Sequence, residues 1–276
     1  MTGGAGGPRV VRLRDWTRPV PPVHREVLSA RPEFDEGHPP VLFVPGFGQG
    51  AWAFAEHWLE HAAGRGFPAY AMSLRGHGGS GPARRATLRA YAHDVVQVAA
   101  GLPRRAALVG HGAGALVVSR ALARYPARAA VLAAPVLGGP GRDGWSLLGA
   151  ALRRNPWGTL PALVGGPLRL RRSQLFGADL PVELARQRAA RRGRAGAPAQ
   201  WQLLAHRAGE PPLGAPPVLV VGSPDDRVVP VAVLTRAARR HGGAPLLFPG
   251  LGHDLMLDAR WVEPIDGILD WLEKLP

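Results

Sequence analysis

The sequence predicts an α/β protein, with a mostly parallel sheet, helices on both of its faces and one helical insertion. Three observations lead there. Short apolar runs alternate with stretches of helical spacing over residues 41–135, and the alternation resumes from 217 to the C-terminus. Between them, residues 136–213 carry Gly/Pro punctuation and no alternation. Finally, Leu108-Val109-Gly110-His111-Gly112-Ala113-Gly114-Ala115 passes from strand character to a helix start through a tight, glycine-rich turn.

Taken in order, residues 1–9 are glycine-rich and expected to fray. Val10–Leu13 and Val23–Ser29 suit short strands. Val41–Val44 is a compact apolar run closed by Pro45-Gly46, the pattern of a buried central strand. Trp52–Ala63 has helical spacing and stops near Gly64. Phe67–Leu74 reads as a strand, Leu88–Ala100 as a helix and Ala106–Val109 as a strand. Ala113–Tyr125 is a helix ended by Pro126, with Arg120 and Arg124 at its negative end. Ala129–Ala134 is again a strand. Within 136–213 an Arg-rich helix is expected from Pro181 to Arg194. After it come a strand at Pro217–Val221, a helix at Pro230–His241 opened by Pro230 and closed by Gly242, a short strand at Leu246–Phe248 and a last helix at Trp261–Leu275. The expected organisation is a core of residues 1–135 and 214–276 with an inserted cap at 136–213.

Composition narrows the functional classes. The chain has 276 residues and no cysteine, which excludes thiolate nucleophiles, disulfides and Cys-based metal sites. No apolar run reaches about 18 residues, so no membrane span is expected. The N-terminus has no signal-peptide core, so a cytoplasmic location is expected. The net charge of +14 comes from arginine with a single lysine, Lys274, in a chain also rich in Ala, Gly and Pro. That pattern suits a GC-rich genome, and no nucleic-acid-binding motif accompanies it. No nucleic-acid partner is expected.

Five motifs follow one another in order. Val44-Pro45-Gly46-Phe47-Gly48 follows the first central strand, and Leu74-Arg75-Gly76-His77-Gly78-Gly79-Ser80 follows the next. Then come Gly110-His111-Gly112-Ala113-Gly114 and Gly222-Ser223-Pro224-Asp225-Asp226-Arg227-Val228-Val229-Pro230, with Gly250-Leu251-Gly252-His253-Asp254 closing the series. The chain resembles the α/β-hydrolase family over roughly 40–135 and 215–275. In that family the chain order of catalytic residues is nucleophile, acid, histidine. The resemblance implies His253 as general base and Asp226 as the acid that orients it, with Asp225 as the alternative acid. Asp225 has a competing reading as a carboxylate at the start of the following helix. The resemblance also implies an oxyanion hole from the backbone N–H groups of Phe47 and Ala113.

At one position the chain departs from the family. The elbow G-x-S-x-G holds its serine where this chain has Gly112. Glycine adopts positive φ freely, so the turn should form, but acyl-enzyme chemistry loses its nucleophile. Ser119, Ser80 and Ser223 are poor substitutes: one lies far along a helix, one suits a helix cap and one precedes the acid. Three readings remain. In the first, the dyad acts as a general base on water or substrate, in ester, thioester or lactone hydrolysis or in a lyase, cyclase or isomerase step. In the second, the chain is a pseudo-hydrolase that binds an apolar small molecule or a partner; in the third, it is a serine ester hydrolase in which Gly112 replaces the serine. No cofactor or metal is expected. Gly110-x-Gly112-x-x-Ala115 fits a dinucleotide fingerprint, but Ala133-Ala134-Pro135 stand where its acid belongs. His57 and His61, four apart, are expected to pack rather than bind metal. Trp145, Trp157 and Trp201 suit either a pocket or cap packing.

Overall fold

A computed structural model describes residues 17–137, 148–149, 151–163, 166, 168–205 and 210–276. The strand expected at Val10–Leu13 and Trp145 lie outside these residues. The chain forms β1 (Val27–Ala30), β2 (Val41–Val44), β3 (Ala69–Met72), β4 (Ala107–His111), β5 (Ala129–Ala133), β6 (Val218–Gly222) and β7 (Leu246–Leu247). They build one seven-stranded sheet in the order β1-β3-β2-β4-β5-β6-β7. β1 pairs antiparallel with β3, and the other pairs are parallel.

Helices cover both faces. On one lie α1 (Trp52–Ala55), α2 (Trp58–Gly64) and α10 (Val262–Glu273). On the other lie α3 (Leu88–Ala100), α4 (Ala113–Ala121) and α9 (Val231–Arg239). Two separate apolar clusters result because strand side chains alternate. Val41, Phe43, Val109 and Val131 enter the first, and Leu42, Val44, Leu108 and Leu132 the second. All four residues of β2 are buried, as its unbroken apolar run requires.

Several boundaries move. The helix expected at Trp52–Ala63 breaks at His57, whose φ of −144° is not helical. The helix expected to Tyr125 ends at Ala121, and the Tyr125 hydroxyl instead accepts from Ala106 N–H. α3 has the expected span and is capped by Thr87, whose hydroxyl accepts from Ala90 N–H. Between β5 and β6 the described residues form helices and turns without a strand. These include α5 (Pro156–Leu163), α6 (Arg172–Leu175), α7 (Val182–Ala190) and α8 (Ala197–Leu204). α7 is shorter than the expected Pro181–Arg194.

Strand order reverses about β2, with β3 on one side and β4 on the other. In an open α/β sheet, such a reversal opens a crevice beyond the strand carboxyl ends. The loops after β2 and β4, which carry Phe47 and Gly112, leave the sheet there.

Candidate active site

β4 ends at His111, Gly112 holds φ 54° and ψ −122°, and α4 starts at Ala113. The turn presses on the end of β2. A Cβ on Gly114 would lie 2.5 Å from the Pro45 carbonyl oxygen, and one on Gly110 would lie 2.7 Å from Cα of Ala115. Only glycine fits such contacts. A Cβ on Gly112 would project elsewhere, 3.3 Å from Nε2 of His253 and 3.8 Å from Cα of Gly46.

His253 is buried, with Nδ1 2.8 Å from Oδ2 of Asp226. The other oxygen of Asp226 accepts from the N–H groups of Val228 at 2.6 Å and Val229 at 3.0 Å. The carboxylate is therefore fixed at both ends, and Nε2 of His253 is left facing Gly112. Asp225 turns away and accepts from Gly250 N–H at 2.7 Å. The geometry thus pairs His253 with Asp226, and it is Asp226 rather than Asp225 whose oxygen receives the amides just before α9. Burial pulls the His253 pKa down, but the charge and hydrogen bond of Asp226, with Asp254 nearby, outweigh it and hold it above the usual value.

His111 packs beside this pair, with its ring centroid 4.9 Å from that of His253. Burial, then the neighbouring His253, pushes its pKa down to about 4. Its Nε2 donates to the His253 carbonyl at 3.0 Å. Nδ1 lies 3.1 Å from Oε1 as placed on Gln49. A neutral imidazole has one N–H, already spent, so the amide NH2 of Gln49 belongs at this contact. Asp254 is buried, and Arg192 donates to its Oδ2 at 2.8 Å. Ligand-type atoms of His111, His253 and Asp254 lie within 4.8 Å of one another. The donor set nevertheless fits a cation poorly. His111 Nε2 is already spent on the His253 carbonyl and His253 Nδ1 on Asp226, and the Arg192 guanidinium sits on Oδ2 of Asp254, so only Nε2 of His253 and Oδ1 of Asp254 stay open.

Phe47, Gly48, Gly112, Ala113 and His253 line a cavity of about 160 Å³. The N–H groups of Phe47 and Ala113 have no partner among the described residues. The Phe47 ring is anchored by Tyr91 at a centroid distance of 5.5 Å, and the Tyr91 hydroxyl accepts from Gly196 N–H. Residues between β5 and β6 supply much of the remaining wall, including Leu168, Leu170, Leu203 and Leu204. Trp201 lines the cavity, whereas Trp157 is 81% exposed.

The serines lie in other bonds. Ser119 donates to the Ala115 carbonyl, and Ser223 accepts from Asp225 N–H. Ser80 is not a helix cap: it donates to the Ser73 carbonyl and accepts from Glu26 N–H, locking the turn. Asp94 is held by Arg75 and Arg25, and His77 is buried against Phe47 and Tyr91. The break between α1 and α2 separates the tasks of His57 and His61. His57 stacks on Trp261 and accepts from Arg188, while His61 bonds Asp266. Sequence reasoning assigned no role to Arg192, Asp254 or Gln49. Asp254 stands in the histidine motif and carried a signal; Arg192 and Gln49 reach the site only through tertiary packing.

The sequence matches the alpha/beta hydrolase family over residues 41–265, and the chain belongs to that family. Among solved structures, it is similar to a thermophilic esterase from Thermogutta terrifontis, with 19% identity, a TM-score of 0.67 and coverage of 91% of this chain and 93% of that one. It is also similar to a monoacylglycerol lipase from Paleococcus ferrophilus, at 20% identity, TM-score 0.63 and coverage of 91% and 98%. An esterase from a Rhodococcus species shares 21% identity at TM-score 0.69, with coverage of 91% and 95%. At such identities these likenesses concern the fold. No curated protein matches the sequence.

Proposed function

We propose that this chain is an enzyme in which His253, oriented by Asp226, acts as a general base without a side-chain nucleophile. The observation that carries this reading is the buried 2.8 Å pair whose free Nε2 lies 3.3 Å from where a side chain of residue 112 would begin. A serine there would be the nucleophile; with glycine, the same space suits a water or a substrate hydroxyl or C–H. In the hydrolytic case Nε2 takes a proton from water as its oxygen attacks an activated ester, thioester or lactone carbonyl. The N–H groups of Phe47 and Ala113 hold the resulting oxyanion. On collapse, His253 returns the proton to the leaving oxygen or sulfur. In a lyase, cyclase or isomerase step the same base would take a proton from the substrate itself. The helices between β5 and β6 act as a cap that supplies the apolar wall.

Hydrolysis of short and long p-nitrophenyl esters, measured for this chain, His253→Ala and Gly112→Ser, tests the reading. The chain is expected to turn over slowly, and His253→Ala to lose about 10²–10⁴-fold. Turnover confined to Gly112→Ser would instead make the chain a serine ester hydrolase with its nucleophile replaced. Ligand binding with no turnover in any variant would make it a non-catalytic binder.

A further inference from the structure

The charge on the cavity walls is one-sided. Arg154, Arg192 and Arg227 line the cavity, among the described residues no carboxylate does, and most of the remaining described wall is apolar. Arg192 is already neutralised by Asp254. Arg154 and Arg227 are not: among the described residues no carboxylate pairs with either. Arg154 spends one N–H on the Arg227 carbonyl, which brings both residues to one corner beside the Asp226 loop. Both side chains are exposed, so their charge is available at the rim.

We infer that this cavity takes an apolar molecule bearing a carboxylate, with Arg154 and Arg227 as the anion-recognising pair. This rests on the reading of the cavity as the substrate site. The physical grounds are fit and sign. A volume of about 160 Å³ matches a cavity able to admit a benzene ring, so the apolar body is a ring or short chain. A carboxylate offers two oxygens to planar guanidinium forks, which an amide or alcohol cannot match, and an ammonium would meet like charge.

Calorimetric titration with hexanoate and with hexanamide, a neutral analogue of the same size, tests this in low salt. Hexanoate is expected to bind at least about tenfold tighter, a difference of about 1.4 kcal/mol. In Arg154→Gln/Arg227→Gln it should fall to the level of hexanamide, whose own binding stays unchanged and reports an intact cavity. Arg105→Gln/Arg239→Gln, at exposed arginines that do not line the cavity, should keep the preference; equal loss there would assign it to the general positive field and overturn the proposal. His253→Ala should also keep it, so ligand class and general-base chemistry fail separately. Equal binding of the two probes, or binding of neither, also overturns the proposal.

Discussion

Gly112 holds a backbone conformation that other residues reach only under strain, at φ 54° and ψ −122°. Gly112→Ser is expected to lower unfolding free energy by about 1–3 kcal/mol in urea titrations, while creating a hydroxyl that a fluorophosphonate probe labels. The present chain should resist that probe. His253 makes a second prediction. Its pKa is raised in the fold, so the neutral base form accumulates only above the usual imidazole value, and catalysis should rise with pH through that elevated pKa. Stability moves oppositely. The contribution of His253 is complete below its unfolded pKa and is lost as pH rises through the folded one. A pH–rate profile with its rising limb at or below the ordinary imidazole value would contradict this assignment. Sequence motifs named His253, Gly112 and, through the family resemblance, Asp226, with the neighbouring Asp225 kept as the alternative acid. The choice depends on which carboxylate the β6 loop turns inward, and that is a backbone matter.

At the scale of elements, the stretch from α7 to Gly193 is riveted to the core. Arg188 bonds Glu56 and the Leu257 carbonyl, Arg191 stacks 4.0 Å over Trp52, and Arg192 reaches Asp254. Gly193 N–H then donates to the Gly48 carbonyl at 2.7 Å. The α7 segment and the Phe47 loop are thus held as one piece. Arg192→Met would leave the buried Asp254 charge unpaired, at an expected cost of about 3–5 kcal/mol in denaturant unfolding. Adding Asp254→Asn should recover part of that loss, because the cost lies mainly in the stranded charge. Recovery of nothing would show that Arg192 acts through packing alone. In the sequence these arginines read only as a basic helical stretch. Their partners lie about 60 or more residues away, beyond the reach of local pattern.

Over the whole molecule, several histidines are held toward the neutral form: His77 and His111 are buried, His57 and His93 are half-buried, and His241 is exposed. Burial pushes His111 to about 4 and also lowers His57, His77, His93 and His241. The unfolded chain therefore binds more protons than the fold below about pH 6.5. The stability these residues contribute is present above that value and falls as pH drops toward 4, with His253 opposing the trend. Urea midpoints should decline from pH 7 to pH 5, and His111→Gln should flatten the decline if the substitution keeps the fold. A midpoint that rises on acidification would sink this account.

Apolar periodicity determined most of the alternating strands and helices and the all-buried β2, and glycine spacing the turn after β4, because each is a local demand of backbone and burial. The order of the five motifs carried the family. What only the tertiary structure decided was the meeting of distant groups. It set Asp226 behind His253, put Arg192 on Asp254, and brought Arg154 and Arg227 to one corner of the cavity. Those contacts depend on how the β6 loop and the helices after β5 pack over the sheet, and packing geometry leaves no local mark in the chain.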